Sequence, residues 1–352
     1  MIYSNVSVEL VLSINFCLNE NGEWMNLALA VILLAGGLGL LWKGADVLVE
    51  GAVGLARQFG VSSLIIGLTV VAMGTSAPEV AASIAGVLRK TNGGDIALGN
   101  VFGSNIANLI LVGGLVALIR PLKVQKTTLR REIPIMISVA LLLWPFLYNA
   151  YLSRAEAAIL LLEFFAFIAM TVYAAKGESK KSRLYEYNVN STDAKYRNRD
   201  TKKSIFFVVA GLIGLALGAE MTVSGAVYIG REALGLSEGV IALSVISLGT
   251  SLPELVTCVV AAVRGEHGIS VGNLVGSNIF NTVLVTGAAG LVKPFPVSPR
   301  FADGVDYWIM IAVSFAFAGA AIIGRRTIGR ITGIVMLCGY TAYILYLFKF
   351  GL

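Results

Sequence analysis

Long apolar runs separated by short polar interruptions fill almost the whole chain. Runs of spanning length fall near residues 26–56, 62–88, 94–119, 132–150, 155–176, 204–233, 239–264, 269–292, 305–324 and 330–350. A helix rises ~1.5 Å per residue, so some twenty residues cross a ~30 Å hydrocarbon layer. The pattern predicts an all-α polytopic membrane protein with ten transmembrane helices, split five and five by the polar stretch 177–203. The expected organisation is an N-terminal extension (1–24), a first transmembrane repeat (25–176), a basic loop (177–203) and a second transmembrane repeat (204–352). Residues 1–24 contain no Lys or Arg and lack the basic start of a secretory signal. Met25 opens the first convincing span and is a candidate start.

Composition agrees: 57% of residues are hydrophobic and 14% charged, against about 25% charged in soluble chains. The net charge of +6 lies mostly in loops, so it reports topology rather than nucleic-acid binding. With the N-terminus outside, 19 of the 27 basic residues face the cytoplasm, including Arg120, Lys123, Arg264, Arg325 and the 177–203 cluster, and seven face outward. The expectation is a cell (inner) membrane protein with both termini outside and the central loop cytoplasmic. Cys17, Cys258 and Cys338 have no paired or metal-type spacing and read as small apolar core residues. The lone histidine, His267, reads as a loop residue, which leaves the spans without the usual general base.

One signature occurs twice. Gly74-Thr75-Ser76-Ala77-Pro78-Glu79 precedes Gly99-Asn100-Val101-Phe102-Gly103-Ser104-Asn105-Ile106-Ala107-Asn108. Gly249-Thr250-Ser251-Leu252-Pro253-Glu254 precedes Gly272-Asn273-Leu274-Val275-Gly276-Ser277-Asn278-Ile279-Phe280-Asn281. The match extends to Gly44-Ala45-Asp46 with Gly218-Ala219-Glu220. An odd number of spans per repeat forces the halves into opposite orientations, the plan of many secondary transporters.

Each proline lacks an N–H and clashes with the carbonyl four residues earlier, so Pro78 frees the Gly74 carbonyl and Pro253 that of Gly249. Broken helices persist in a membrane only where the opened backbone lines a cavity or binds something. Freed carbonyls, hydroxyls and glutamates form an all-oxygen set suited to hard cations such as Ca²⁺ or Na⁺. Ser104 and Asn108 share a helix face, as do Ser277 and Asn281. One isolated copy would read as helix-packing polar residues. A duplicate with two carboxylates and two prolines reads as one composite cation site. Lys43 and Asp46, three apart, can pair on one helix face, and with Glu50 and Glu220 they read as structural.

These paired motifs resemble the two α-repeats of the calcium/cation antiporter superfamily, specifically the prokaryotic sodium/calcium exchangers. The resemblance implies ten helices with binding residues in the second, third, seventh and eighth. It implies Ca²⁺ held by Glu79, Glu254 and the Thr75 and Thr250 carbonyls. It also implies Na⁺ held by those residues with Ser104, Ser277 and the Ala72 and Ser247 carbonyls. Ser76, Ser251, Asn108 and Asn281 complete the candidate set. Some relatives, including potassium-dependent ones, carry Asp where this chain has Asn281, so the resemblance implies electrogenic exchange without K⁺. It further implies that the glycine-rich first and sixth helices slide past the core. No catalytic residue and no cofactor beyond the transported Ca²⁺ and Na⁺ is expected. The partners are those ions and the lipid bilayer, with no nucleic acid. Alternatives are an H⁺/Ca²⁺ antiporter of the same fold, a cation channel, or an intramembrane hydrolase using Ser76 or Ser251, near which no His or Lys lies in sequence.

Overall fold

A computed structural model of the chain describes residues 26–89, 93–186, 201–234, 247–302 and 304–350. The N-terminal extension with Met25, most of the basic loop and the first residues of the seventh span lie outside the described residues. The helices are α1 (Leu27–Phe59), α2 (Ser63–Leu88), α3 (Gly93–Ile119), α4 (Glu132–Leu147), α5 (Arg154–Glu186), α6 (Thr201–Glu232), α7 (Ser247–Thr250 and Leu252–Val263), α8 (His267–Val292), α9 (Val305–Ile323) and α10 (Arg330–Phe350). Among the described residues, eight helical stretches are long and apolar enough to cross a membrane. The 16-residue α4 and the 12-residue second part of α7 are shorter.

Helix ends follow local chemistry. Asn26 Oδ1 accepts from the Leu29 amide at 2.8 Å and caps α1, which Gly60 closes in the left-handed region at φ 63°. Helix α5 runs on to Glu186, into the stretch expected to be a linker. Its Glu, Lys and Arg residues are good helix formers, and no proline interrupts them.

Helices α1 and α6 pack antiparallel along two glycine stripes spaced by seven. A methyl group at Gly44 would lie 2.9 Å from the Leu215 amide nitrogen, and one at Gly51 2.8 Å from that of Val208. From the other helix, one at Gly211 would lie 2.6 Å from the Leu48 nitrogen, and one at Gly218 2.7 Å from that of Leu41. In lipid there is little hydrophobic gain from covering a helix, so such close backbone approach supplies the association. The glycines expected to give α1 and α6 smooth faces toward the core thus face each other, except Gly39, which has nothing near it. The pair has its own apolar cluster (Leu41, Leu48, Val49, Leu215), reaching the other helices through Ile66, Val71, Val260 and Ile269. A second and larger cluster unites α2–α5 with α7–α10.

Two short antiparallel strand pairs are an addition to the all-α expectation. β1 (Leu122–Lys123) pairs with β4 (Thr327–Ile328), and β2 (Tyr151–Leu152) with β3 (Phe295–Pro296). Each pair ties one loop of the first half to one of the second, with Leu122, Ile328, Leu152 and Phe295 buried beneath. Lys43 and Asp46 pair at 3.5 Å, as their spacing predicts. Asp46 also pairs with Arg264, tying α1 to the turn between α7 and α8. Arg120 caps the same end of α7, donating to the Val263 carbonyl at 2.8 Å.

Substituting Gly218→Val should lower stability by about 1–3 kcal/mol through overpacking, read as a lower thermal midpoint in detergent. Gly39→Val, in open space, should leave the midpoint unchanged.

Candidate functional site

Both signature helices break at the serine before the proline. Ser76 sits at φ −84°, ψ 3° and Ser251 at φ −89°, ψ 1°, the sparsely populated bridge region. The preceding turns end at Thr75 and Thr250, and new helices start at Ala77 and Leu252 with the prolines in their first turn. Each break therefore presents the carbonyl end of one half-helix beside the amide end of the next. The first attracts cations and the second stabilises a carboxylate. Glu79 and Glu254 occupy that first turn.

Ser-x-Pro-Glu is the spacing of a capping box, yet neither serine side chain caps its helix. Ser76 Oγ donates instead to Glu254 Oε1 of the other half at 3.3 Å. Its counterpart Ser251 Oγ is buried and has no hydrogen-bond partner among the described residues. The same holds for both carboxylate oxygens of Glu79, Glu254 Oε2, Ser277 Oγ, and both amide atoms of Asn108 and Asn281. All these residues are essentially fully buried. Ser76 stands three residues before Glu79, so its bond to Glu254 joins the two breaks directly.

The helices that carry these groups meet through glycine. A methyl at Gly67 would lie 2.7 Å from the Ile269 carbonyl oxygen, and one at Gly276 2.7 Å from that of Leu68. The first half of α2 is thereby drawn against α8, and Ala72 and Thr75 are buried beside it. Thr75 Oγ1 donates to Asn273 Oδ1 at 3.0 Å.

Of the predicted site residues, Ala72, Thr75, Ser76 and Glu79 of α2, Ser104 and Asn108 of α3, Ser251 and Glu254 of α7, and Ser277 and Asn281 of α8 are all buried, and the Ser76–Glu254 hydrogen bond joins the α2 and α7 members. Thr250 is only half-buried and makes no hydrogen bond among the described residues. The Ser247 side chain lies outside the described residues. Among the described residues no three His, Cys, Asp or Glu side chains converge. A cation held here would draw on carbonyl, hydroxyl and amide oxygens as well as the two carboxylates.

A supporting ring escaped sequence reasoning. Asn100 Nδ2 donates to Ser83 Oγ at 2.9 Å and to the Glu79 carbonyl at 3.2 Å. Asn273 Nδ2 donates to Cys258 Sγ at 3.3 Å. Asn105 Nδ2 reaches Thr282 Oγ1 at 3.0 Å across the two halves. Cys258 is buried as expected, but as a hydrogen-bonding group rather than a purely apolar filler, whereas Cys338, expected in the core, is exposed on α10. The available signal was periodicity: Ser83 and Cys258 lie one turn beyond the glutamates, on the same helix face.

Compared with known proteins, residues 29–173 and 203–349 match the family model described as sodium/calcium exchanger protein. Sodium/calcium exchanger MaX1 of Methanosarcina acetivorans is 34% identical over 90% of this chain and 98% of its own. Inner membrane protein YrbG of Escherichia coli is 36% identical over 91% and 97%. The solved sodium/calcium exchanger of Methanococcus jannaschii is 30% identical, covers 91% of this chain and 99% of its own, and superposes with a TM-score of 0.76.

The asymmetry between the serines is measurable. Without Na⁺ or Ca²⁺, Ser76→Ala should cost about 1–2 kcal/mol by removing a donor from a buried carboxylate, lowering the thermal midpoint. Ser251→Ala, which removes no hydrogen bond, should leave it unchanged.

Proposed function

This chain belongs to the sodium/calcium exchanger family, and from that premise we propose that it exchanges Na⁺ for Ca²⁺ by alternating access. It is a multi-pass membrane cation/Ca²⁺ antiporter rather than an enzyme. The observation that carries the finer reading is the buried set at the paired breaks: two carboxylates amid oxygens with no hydrogen-bond partner among the described residues. Burying such charges costs several kcal/mol each unless they are compensated. A Ca²⁺ ion or Na⁺ ions supply that compensation.

In this reading Glu79, Glu254 and the Thr75 and Thr250 carbonyls hold Ca²⁺. Sodium uses the same glutamates and threonines with Ser76, Ser251, Ser104, Ser277 and the Ala72 and Ser247 carbonyls, while Asn108 and Asn281 line the centre as neutral amides. The shared glutamates make the two cations compete, and competition is what couples them. Two carboxylates are neutralised by one Ca²⁺ or two Na⁺. A third Na⁺ leaves net charge on the carrier, so exchange is electrogenic, and neutral Asn281 accords with independence from K⁺.

The inverted arrangement is supported by the strand pairs. β1 follows α3 and pairs with β4, which follows α9, so those loops share one side. β2 follows α4 and pairs with β3, which follows α8, so those loops share the other. With α4 and α9 each crossing the bilayer, α3 and α8 then run in opposite directions. The antiparallel α1–α6 pair accords with this, and its separate apolar cluster suits a unit that slides past the rest. The loop charges orient the molecule with both termini outside and the basic segment between α5 and α6 in the cytoplasm. The domain division is two transmembrane repeats about that segment.

The test is radiolabelled Ca²⁺ flux in proteoliposomes under separately imposed Na⁺, K⁺ and H⁺ gradients. An outward Na⁺ gradient alone should drive Ca²⁺ uptake that responds to membrane potential. Uptake driven by a pH gradient without Na⁺ would favour the H⁺-coupled alternative, and a K⁺ requirement would contradict the reading of Asn281. Glu79→Gln or Glu254→Gln should each reduce flux by about 100-fold or more, the factor for one removed partner of a buried charge set, in protein that still folds.

A further inference from the structure

We propose that Asn273 is a positioning residue: it holds the Thr75 hydroxyl across the boundary between the halves and thereby prepares that oxygen for Na⁺. Its counterpart Asn100 is built to hold Thr250 in the same way. The proposal rests on the Na⁺ and Ca²⁺ roles given above.

Thr75 and Asn273 are 1% and 0% exposed, and the hydroxyl faces two acceptors, the Asn273 amide oxygen at 3.0 Å and, farther off, the Ala72 carbonyl of its own helix at 3.3 Å. A threonine hydroxyl has one proton and two lone pairs. With the proton directed to the nearer acceptor, Asn273, its lone pairs are left for a cation. The amide orientation is itself fixed. Cys258 Sγ donates to the Ser270 carbonyl at 3.4 Å, so its sulfur presents an acceptor, and Asn273 Nδ2 donates to it at 3.3 Å. That leaves Oδ1 for Thr75. Ser270 Oγ returns a hydrogen bond to the Cys258 carbonyl at 3.0 Å, locking α7 to α8 at this level.

The first half contains the same anchor. Ser83 corresponds to Cys258, and Asn100, the counterpart of Asn273, donates Nδ2 to Ser83 Oγ at 2.9 Å. The second element of the arrangement is not made there: Thr250 is half-buried and bonds to nothing among the described residues. Among the described residues, one half therefore has its threonine latched across the boundary and the other does not. Alternating access between inverted halves exchanges their environments, so the Thr75–Asn273 bond gives way to a Thr250–Asn100 bond as the carrier turns over.

This assignment separates the two ions. In the functional reading Ca²⁺ takes the Thr75 carbonyl, and in the proposal Na⁺ takes the hydroxyl, so loss of the Asn273 bond falls on Na⁺. The experiment measures half-saturating Na⁺ for Na⁺/Ca²⁺ exchange, and half-saturating Ca²⁺ for Ca²⁺/Ca²⁺ exchange in Na⁺-free medium, in proteoliposomes. Asn273→Ala should raise the first by about tenfold, the worth of one buried hydrogen bond, and leave the second within about twofold. Thr75→Val should likewise raise half-saturating Na⁺, and Asn273→Ala in the Thr75→Val background should add nothing further to it. Cys258→Val, which removes the anchor, should shift Na⁺ dependence in the same direction. Cys258→Ser, which supplies the hydroxyl that Ser83 supplies in the other half, should restore it.

Equal shifts for both ions, or additive effects of the Asn273 and Thr75 changes, would assign Asn273 a merely structural role and overturn the proposal. If Asn273→Ala does not fold, the Cys258 pair decides by the same criterion. Failure of the wild-type protein to exchange Na⁺ for Ca²⁺, or full exchange by Glu254→Gln, would instead overturn the functional reading beneath it.

Discussion

In a bilayer interior every backbone polar group needs a partner, and the paired helix breaks are where two helices of this chain open their backbone. At Ser76 and Ser251 the backbone leaves the α region while surrounded by buried residues. The prolines two residues later make the departure permanent, because no N–H exists to reclose the turn. Everything else at the centre follows from placing two such breaks together. Half-helix carbonyl ends and half-helix amide ends converge, and the two glutamates stand on the amide ends, where a negative charge is favoured.

Glycine makes the convergence possible. Gly67 and Gly276 let α2 and α8 approach until a single methyl group would collide with backbone, and this proximity delivers Thr75 to Asn273. The α1–α6 pair uses the same device for a different end. Its two helices bind each other through a continuous glycine seam and touch the remainder over a smaller apolar cluster. The Asp46–Arg264 ion pair is a polar tie between the two bodies. A larger central cluster and a separately packed pair accord with the proposed carrier, in which one moves against the other.

The spans and both signatures were legible because their signals are local: apolar length, Gly-Thr-Ser before Pro-Glu, and a four-residue Ser–Asn spacing. The Lys43–Asp46 pair was legible for the same reason. What escaped is what depends on distant chain segments meeting. Nothing near Asp46 in sequence points to Arg264, and nothing near Cys258 shows that Asn273 will turn its amide toward the thiol. The strand pairs escaped because two-residue strands carry no periodicity. The continuation of α5 to Glu186 is hidden because its charged residues read equally as a solvated linker. The asymmetry between Ser76 and Ser251 was beyond reach in principle, since both halves carry the same motif and only the conformation distinguishes them.

The central claim is that both breaks serve one composite cation site. Anomalous diffraction from crystals soaked in Ca²⁺ tests it most directly. The account predicts one Ca²⁺ peak per chain, within about 2.3–2.6 Å of carboxylate oxygens of both Glu79 and Glu254, that disappears when Na⁺ is raised. A Ca²⁺ peak bound to one glutamate alone, or one that persists undiminished in high Na⁺, would contradict it.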